Sequence, residues 1–226
     1  MNRDVLLIDK PSGWTSFDVV AKIRGMVKAN YRAKDIQPTK RQLKVGHAGT
    51  LDPFATGLLI ILLGDATKRA GDFLKLDKVY EATINLGVVS TTGDPEGEIT
   101  SVSDTIPTPE RVLEALDGLT GEIRQRPPAY SAIKINGQRA YDLARAGKEF
   151  EIPERVVTVY DTELLDYAYP EIKIRTHVSS GTYIRTLAED VGKALGTGAY
   201  CSELRRTRIG EFSIEKAISI EHALDN

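Results

Sequence analysis

One stretch, from Val45 to Gly64, constrains the fold of this 226-residue chain more than any other part of it. Its first half, up to Gly57, is a polar, turn-rich loop that holds one histidine and one carboxylate. Its second half, Leu58 to Leu63, is a run of six aliphatic residues, long enough for a buried strand and far too short to span a membrane. The sequence therefore predicts a polar loop joined to a rigid core strand.

The carboxylate of this loop is Asp52, which we take as the first candidate catalytic residue. Gly46, Gly49, Gly57 and Pro53 predict a fixed and unusual backbone path. Such a path beside a core strand holds a side chain in one place, as a catalytic group requires. The alternative is that Asp52 only caps the turn that it forms with Pro53, and the loop alone favours this alternative.

A length of 226 residues allows one large domain or two small ones. Because the sequence shows no internal repeat and no low-complexity linker, we predict one soluble, globular domain over 1–226. Hydrophobic residues make up 41% of the chain and charged residues 27%, and no signal peptide or membrane span is expected. Cys201 is the only cysteine, and the three histidines, His47, His177 and His222, are widely separated. We therefore expect no disulfide, no metal site and no membrane association, and a cytoplasmic location.

The net charge of −2 hides a strong asymmetry between the two ends of the chain. Residues 1–80 contain 14 Lys and Arg against 8 Asp and Glu, and between Lys22 and Lys44 eight basic residues accompany one acid, Asp35. A solvated basic face is one interpretation. A patch directed at a polyanion is the other, and segregation of the charge favours it.

Helix and strand signals alternate unevenly along the chain. Thr15, with Asp18 three residues later, predicts a capped helix of about three turns, followed by a mobile basic loop over 30–44. Thr182 and the residues before it predict the cap of a later helix that contains Arg185. Strands are predicted at 4–9, 58–63, 79–86, 130–135, 156–167, 172–178 and 202–208. This order favours an α+β fold with a mixed or antiparallel sheet over a doubly wound parallel sheet.

Two further residues suit chemistry at Asp52. Arg185 could keep the carboxylate ionised and fix its rotamer, and Tyr80 could stack on a planar base and handle a proton. Spacing alone does not bring the three together. Tyr80 could instead be an ordinary strand tyrosine, and Arg185 could form an ion pair with Glu189 on its own helix.

A resemblance to a known family bears on this grouping. It is carried by five motifs in order: L-L-I-D-K-P-S-G-W-T-S, G-H-A-G-T-L-D-P-F-A-T-G-L-L, K-V-Y-E-A, P-P-A-Y-S-A-I-K-I-N-G-Q-R-A-Y-D-L-A-R-A-G and S-S-G-T-Y-I-R-T-L-A-E-D-V-G. From about Leu6 to Leu224 the chain resembles the TruB family of tRNA pseudouridine synthases.

The resemblance implies an enzyme that isomerises uridine 55 in the T-loop of tRNA to pseudouridine without a cofactor. It implies a mixed, largely antiparallel sheet flanked by helices, with an active-site cleft across the sheet, and a monomer whose partner is the T-arm of tRNA. Asp52 matches the catalytic aspartate, Tyr80 the active-site tyrosine and Arg185 the arginine paired with the aspartate. The positions that match RNA-binding residues around the pocket are His47, Lys10, Lys68, Lys134, Tyr183 and Leu204.

The chain departs from the family pattern in two places. Many relatives continue into a small C-terminal RNA-binding module of the PUA type, which we expect to be absent here. The basic segment at about 30–44 looks like a slightly longer insertion, and we hypothesise that it supplements tRNA binding. Arg205, Arg206 and Arg208 are interpreted as solvated charges with only a weak assignment to RNA.

Three rival functions follow from the same residues. A catalytic subunit of a guide-RNA-directed pseudouridine synthase would share this core. A non-catalytic RNA-binding module would not require Asp52. A nucleotide hydrolase is disfavoured because the chain lacks a G-x-x-x-x-G-K-[ST] loop.

Overall fold

The computed structural model describes residues 4–131, 133–135 and 137–224. Its strands are β1 (Val5–Lys10), β2 (Val45–His47), β3 (Thr56–Leu63), β4 (Lys78–Leu86), β5 (Val88–Ser90), β6 (Ile99–Ser101), β7 (Gly121–Gln125), β8 (Lys134–Ile135), β9 (Gln138–Arg139), β10 (Arg155–Ala168), β11 (Glu171–Val178), β12 (Ala199–Ile209) and β13 (Phe212–Ser213). Its α-helices are α1 (Ser16–Ala33), α2 (Ala70–Leu74), α3 (Pro109–Asp117), α4 (Ala140–Arg145) and α5 (Ile184–Leu195). Short 3₁₀ helices cover Gly64–Arg69, Ile214–Lys216 and Ile220–His222.

Contacts divide the chain into two compact units, which we call the first and second unit. The first unit contains the residues up to Tyr80 and those from Arg205 onward, and the second unit contains Glu81–Leu204. The chain passes between the units within β4 and within β12. The expectation of a single domain over 1–226 stays a prediction.

The first unit is built around β3, the aliphatic run of the sequence. This strand pairs antiparallel with β1 and with β2, and parallel with β12 at Thr56 and Gly57. Alternate side chains of β3 enter different cores, as the pleat of a strand requires. Leu59 and Ile61 pack with the apolar stripe of α1, whereas Leu58, Ile60 and Leu62 pack with Phe73 of α2. The predicted buried strand is confirmed.

Helix α1 begins as predicted and ends later than predicted. The side chain of Thr15 accepts a hydrogen bond from the Asp18 backbone, and the Asp18 carboxylate accepts one from the Thr15 backbone, which confirms the capping box. The helix then continues to Ala33, so the expected loop over 30–44 starts inside it. The cause is Tyr31, which follows Val27 by one turn and packs against the same core.

The second unit contains further antiparallel strands of the sheet. Its strands follow the order β4–β11–β10–β7, and β10 pairs antiparallel with both β11 and β7. Two hairpins, β5 with β6 and β8 with β9, stand apart from this sheet. The predicted strand over 130–135 is therefore shorter than expected, and Asn136 of its expected turn lies outside the described residues.

These elements confirm the α+β class with a mixed, largely antiparallel sheet flanked by helices. Pairing of β3 with β12 is parallel, as is an isolated bridge between Ile8 and Ile218. The active-site cleft across the sheet stays a prediction. Within the described part of the chain, no helix is both long enough and apolar enough to cross a membrane.

Candidate functional site

The loop that carries Asp52 follows the constrained path that its glycines predict, with one exception. Gly49 and Gly57 have φ values of 109° and 102°, in the region that side chains rarely adopt. Gly46 was expected to contribute to this path, but it lies in the extended strand β2. Asp52 itself is partly exposed, and its carbonyl accepts a hydrogen bond from the Ala55 amide at 3.2 Å. The bend at Pro53 is thus closed by a hydrogen bond between backbone groups.

The backbone around Asp52 is held by the first residue of α1 and by the last residue of β1. Ser16, the first residue of α1, receives a hydrogen bond from the Leu51 amide at 2.8 Å and donates to the Leu51 carbonyl at 3.1 Å. Lys10 donates to the carbonyls of Trp14 at 2.6 Å and Pro53 at 3.3 Å. These bonds fix the backbone on both sides of Asp52.

Lys10 is buried, although the resemblance matches it to RNA-binding residues. It is 0% exposed, and its ammonium donates to main-chain carbonyls of the turn and of the Asp52 loop. These contacts give Lys10 a part in positioning the loop. Its direct contact with RNA stays a prediction.

Arg206 closes the same loop from the other side. Its guanidinium donates to the carbonyls of Gly49 at 3.0 Å and Thr50 at 3.4 Å, which precede Asp52, and to the carbonyl of Leu58 at 2.8 Å, which follows it. Arg206 is only 1% exposed. One side chain thus ties together the entry and the exit of the loop.

The interpretation of the three late arginines as solvated charges is wrong for Arg206 and incomplete for its neighbours. Arg205 forms a two-pronged ion pair with Asp9, at 3.1 and 2.7 Å. Arg208 lies 3.8 Å from Asp77. The sequence gave no indication of these burials and ion pairs, because the charge pattern along one strand does not reveal what the strand is packed against.

Tyr80 lies on β4 with its side chain inward. It is 8% exposed, and Lys78, two residues earlier, points to the same face and is 6% exposed. The Lys78 ammonium donates to the carbonyls of Leu74 and Leu76. Burial first, and then the positive charge of Arg206, lower the pKa of Lys78 to about 8, against the opposing effect of Asp77.

Two other predicted residues of the first unit are more accessible. His47 is partly exposed and occupies the end of β2, paired with Ile61 of β3. Lys68 is exposed in the 3₁₀ helix Gly64–Arg69, where it pairs with Asp65 at 3.1 Å. Arg41 contacts the same carboxylate. An exposed pair of this kind can open to bind another anion at little cost.

Arg185 is the centre of a buried polar cluster in the second unit. It is 2% exposed, and it donates to the carboxylate of Asp94 at 2.9 Å and to the carbonyls of Thr92 at 2.9 Å and Tyr130 at 2.7 Å. Asp94 also accepts hydrogen bonds from the Thr92 hydroxyl and the Glu96 amide. The guanidinium is therefore held rigidly.

Asp94 is a residue that the sequence analysis did not single out, because an aspartate before a proline is typical of an ordinary turn. The alternative partner considered for Arg185 was Glu189. Burial raises the pKa of Glu189, and the positive charges of Lys193 and Arg185 only partly oppose this rise. The pairing of Asp52 with Arg185 stays a prediction.

Tyr183 precedes α5 and is fixed by its backbone. Its amide donates to Gln125 Oε1 at 3.0 Å, and its carbonyl accepts from Gln125 Nε2 at 3.1 Å. The Arg155 guanidinium lies 4.8 Å from the centre of the Tyr183 ring. Tyr183 occupies the N-cap position, so the predicted cap by Thr182 is wrong: the Thr182 hydroxyl bonds to the Ser179 carbonyl instead.

The last two predicted residues of the second unit differ in exposure. Leu204 on β12 is 8% exposed. Lys134 on β8 is exposed and lines a surface cavity of about 530 Å³ between the β8–β9 hairpin and α4. Basic side chains dominate its ionisable lining, which consists of Lys134, Arg139, Lys148 and the single acid Asp142. Such a cavity suits an anionic ligand.

Comparison with known families matches most of the chain. Over residues 34–184 it matches the family described as TruB family pseudouridylate synthase, N-terminal domain. Over residues 185–226 it matches the tRNA pseudouridylate synthase B C-terminal domain. The two matches are adjacent and together run from residue 34 to the end of the chain.

Curated relatives match over nearly the whole chain. A tRNA pseudouridine synthase B of Phocaeicola vulgatus is 47% identical over 219 residues, which cover 96% of this chain and 90% of the relative. A protein of the same name from Parabacteroides distasonis is 46% identical, and the match covers 98% of this chain and 92% of the relative. Another, from Aromatoleum aromaticum, is 45% identical and is covered over 66% of its length.

Solved structures share the fold. The chain aligns with Cbf5 in a Cbf5-Nop10-Gar1 complex at a TM-score of 0.71 and 31% identity, over 98% of this chain. It also aligns with a chain of an H/ACA RNP bound to a substrate RNA containing 2′-deoxyuridine, at a TM-score of 0.69 and 29% identity. It spans about half the length of each, 54% and 52%. With the family match, this likeness confirms the predicted fold.

Proposed function

Because the chain belongs to the TruB family of pseudouridylate synthases, we propose that it converts a uridine of tRNA to pseudouridine, at position 55 in the T-loop. The observation that carries this proposal is the match to tRNA pseudouridine synthase B proteins at 45–47% identity over almost the entire chain. The further details, a monomer that acts in the cytoplasm on the T-arm and takes no cofactor, belong to the same proposal.

The reaction rearranges one nucleoside without adding atoms. The bond between N1 and C1′ of uridine breaks, the uracil turns while it stays bound, and C5 forms a bond to C1′. The proton of C5 is then lost and N1 gains one. No electrons are transferred to another molecule, so the chemistry requires only a nucleophile or base and a site that holds the base.

Asp52 is the residue that we propose starts this rearrangement. Its carboxylate acts either as a nucleophile, at C1′ or C6, or as a base that assists deprotonation of the sugar. The loop around it supports this role, because Ser16, Lys10 and Arg206 fix its backbone while Asp52 stays partly exposed. Preorganised backbone keeps a catalytic group in place without a cost at the moment of reaction.

Arg185 and Tyr80 complete the proposed catalytic group. A guanidinium beside the Asp52 carboxylate would hold it ionised. Support comes from the rigid placing of Arg185 by its recorded hydrogen bonds to Asp94 and to main-chain carbonyls. Tyr80, inward on β4, would stack on the uracil and help remove the C5 proton.

Binding of RNA is proposed for the more accessible residues. His47 would hold the T-loop with the target nucleotide turned out, and Lys68 and Lys134 would meet phosphates. The basic cavity beside Lys134 supports its part. Tyr183 and Leu204 would line the pocket for the base. Turning out the uridine costs a few kcal/mol. Stacking of the base, worth about 1–3 kcal/mol, and phosphate contacts would offset that cost.

The test uses an unmodified tRNA transcript that carries tritium at C5 of its uridines. We expect the protein alone to release about one equivalent of tritium per transcript, and none above background from a transcript with cytidine at position 55. Release that does not depend on position 55 would contradict the T-loop assignment, and no release from either transcript would contradict the function.

A second candidate is a catalytic subunit that works with a guide RNA. It is favoured only by the likeness to Cbf5 in complexes, at lower identity than the curated tRNA enzymes show. The same assay separates the two. Turnover of tRNA by the isolated protein supports the first candidate, and turnover only after addition of a guide RNA and accessory proteins supports the second.

A further inference from the structure

Three basic residues form a line along α1. Arg24, Lys28 and Arg32 follow each other at intervals of four residues, so they lie on one side of the helix. At about 1.5 Å of rise per residue, neighbouring members are separated by roughly 6 Å along the axis and the line extends over roughly 12 Å. We call these three residues the basic stripe.

The basic stripe faces away from the core of the first unit. Lys28 and Arg32 are exposed and Arg24 is partly exposed, whereas Val20, Ile23 and Val27 of the same helix are buried against β1 and β3. The position of the apolar residues fixes the rotation of the helix. The stripe is thus presented to solvent by the packing of α1 and does not depend on a flexible loop.

Within the part of the chain that the structure describes, no carboxylate is recorded as an ion-pair partner of the basic stripe. Across residues 4–131, 133–135 and 137–224, no ion pair is recorded between a carboxylate and Arg24, Lys28 or Arg32. Between Ser16 and Lys44 the sequence supplies only Asp18 and Asp35 as acids. By contrast, Arg41 in the following segment contacts Asp65 and is partly compensated.

A favourable interaction with the helix dipole explains only part of this arrangement. Basic residues in the last turn of a helix stabilise it, and this accounts for Arg32 near the end at Ala33. The effect falls off within one turn, so it does not reach Lys28 or Arg24. Three cations side by side repel one another, and binding of an external anion would relieve this repulsion.

We propose that the basic stripe binds the phosphate backbone of the RNA substrate, away from the nucleotides that enter the active site. This inference rests on the proposed function. Regular spacing along a rigid helix suits the regular phosphates of a nucleic-acid strand, and such contacts position a duplex without reading its sequence. The family match begins at residue 34, so the stripe lies before the segment that defines that match.

An anionic lipid surface fits this helix less well than RNA does. Helices that bind a membrane surface insert an apolar face, and α1 buries its apolar face in the protein. The one large exposed apolar side chain of α1 is Phe17, which is 64% exposed. A single ring can stack on a nucleotide base but gives little insertion into lipid.

The test variant neutralises the stripe as Arg24→Gln, Lys28→Gln and Arg32→Gln together. Its control changes the same number of charges at exposed residues elsewhere, as Arg111→Gln, Lys173→Gln and Lys216→Gln. Dissociation constants for a full tRNA transcript are measured at several salt concentrations. Each phosphate contact adds ~0.7–0.9 to the slope of log K against log salt, so we expect the stripe variant to lose about 2 from the slope. At physiological salt its affinity should fall about tenfold.

The outcomes separate this inference from the proposed function. Equal slopes for the wild type and the stripe variant, or an equal loss in the control, would overturn the inference whatever the activity. Loss of binding to phosphatidylserine vesicles, with tRNA binding unchanged, would also overturn it. Arg24→Lys with Arg32→Lys keeps the charge and should bind tRNA as the wild type does. Failure of the wild type to release tritium from tRNA overturns the proposed function and leaves the slope comparison to decide the stripe.

Discussion

Arg206 carries a positive charge into the interior of the first unit, where a charge is costly unless hydrogen bonds compensate it. Its compensation comes from main-chain carbonyls of Gly49, Thr50 and Leu58. A planar guanidinium with five donors can reach three carbonyls at once, and an ammonium cannot cover the same geometry. Arg206 is therefore a positioning residue for Asp52.

We predict that Arg206→Lys destabilises the protein by ~2–4 kcal/mol and lowers kcat by more than it raises KM. The loop would lose its fixed path while the RNA-binding surface is retained. Denaturant unfolding and steady-state kinetics on tRNA measure the two effects. Arg205→Lys is the matched control, since Arg205 is a half-exposed ion-pair partner of Asp9 and should change stability by less than ~1 kcal/mol. An unchanged kcat for Arg206→Lys would refute the positioning role.

Lys78 provides a test of pH dependence. Its pKa falls to about 8 in the folded protein from an ordinary value of 10.5. Between these values the unfolded chain binds more protons than the native state, so native stability gains with rising pH over that window. Below pH 8 the Lys78 ammonium is charged in the folded protein, and the free-energy cost of burying that charge is then fully present.

We therefore expect the stability of Lys78→Met, relative to the wild type, to be highest at pH 7. As the pH approaches 10, its relative free energy of unfolding should fall by about 1–3 kcal/mol, because the wild type gains stability. Urea unfolding at the two pH values measures the difference in free energy. Lys75→Met replaces an exposed neighbour and should give the same difference at both values. A pH-independent difference for Lys78→Met would show that its ammonium titrates normally.

At the scale of elements, the contact between β3 and β12 depends on a glycine. Gly57 pairs with Arg206, and a Cβ atom at Gly57 would lie 2.3 Å from the Arg206 carbonyl oxygen. The φ value of 102° adds strain for any other residue. The two strands can approach closely only because Gly57 has no side chain, and this approach brings the Arg206 guanidinium under the loop.

We predict that Gly57→Ala destabilises the protein by ~3 kcal/mol or more, since neither backbone can move without breaking its hydrogen bonds. Gly25→Ala is the control, because nothing lies within 4 Å of its Cβ and it occupies the interior of α1. That change should stabilise by up to ~1 kcal/mol. Thermal unfolding of both variants measures the contrast, and equal melting temperatures would argue against the close approach.

Elements with a strong local signal could be predicted from the sequence. The capping box of Thr15 and Asp18 started α1 where the structure has it, and the aliphatic run gave β3. The end of α1 could not be predicted, because the last turn of the helix packs Tyr31 against strands that are distant in sequence. The same limit applies to α5, where Ser179 and Thr182 bond to each other in a turn instead of capping the helix.

Site residues divide in a similar way. Asp52, Tyr80 and Arg185 could be named because whole motifs around them resemble a family. The supporting roles of Arg206, Ser16 and Asp94 could not be predicted, since each acts on residues far away in sequence. Burial of Lys10 also had no local sign. A buried cation that binds carbonyls leaves no complementary charge in the sequence to reveal it.

At the scale of the whole molecule, the distribution of charge suits the proposed polyanionic partner although the net charge is −2. Excess positive charge lies in the first 80 residues, and α1 presents part of it to solvent in a fixed line. The loop of Asp52 lies within the segment that matches the family. We propose that the carboxylate of Asp52 carries out the isomerisation of uridine.

The most direct measurement is tritium release from C5-labelled tRNA under single-turnover conditions by the wild type, Asp52→Asn and Asp72→Asn, the last an exposed carboxylate of the same unit. We predict that Asp52→Asn binds tRNA within about threefold of the wild type yet releases tritium at least ~10³-fold more slowly, whereas Asp72→Asn reacts normally. Release by Asp52→Asn at a rate near that of the wild type would contradict it.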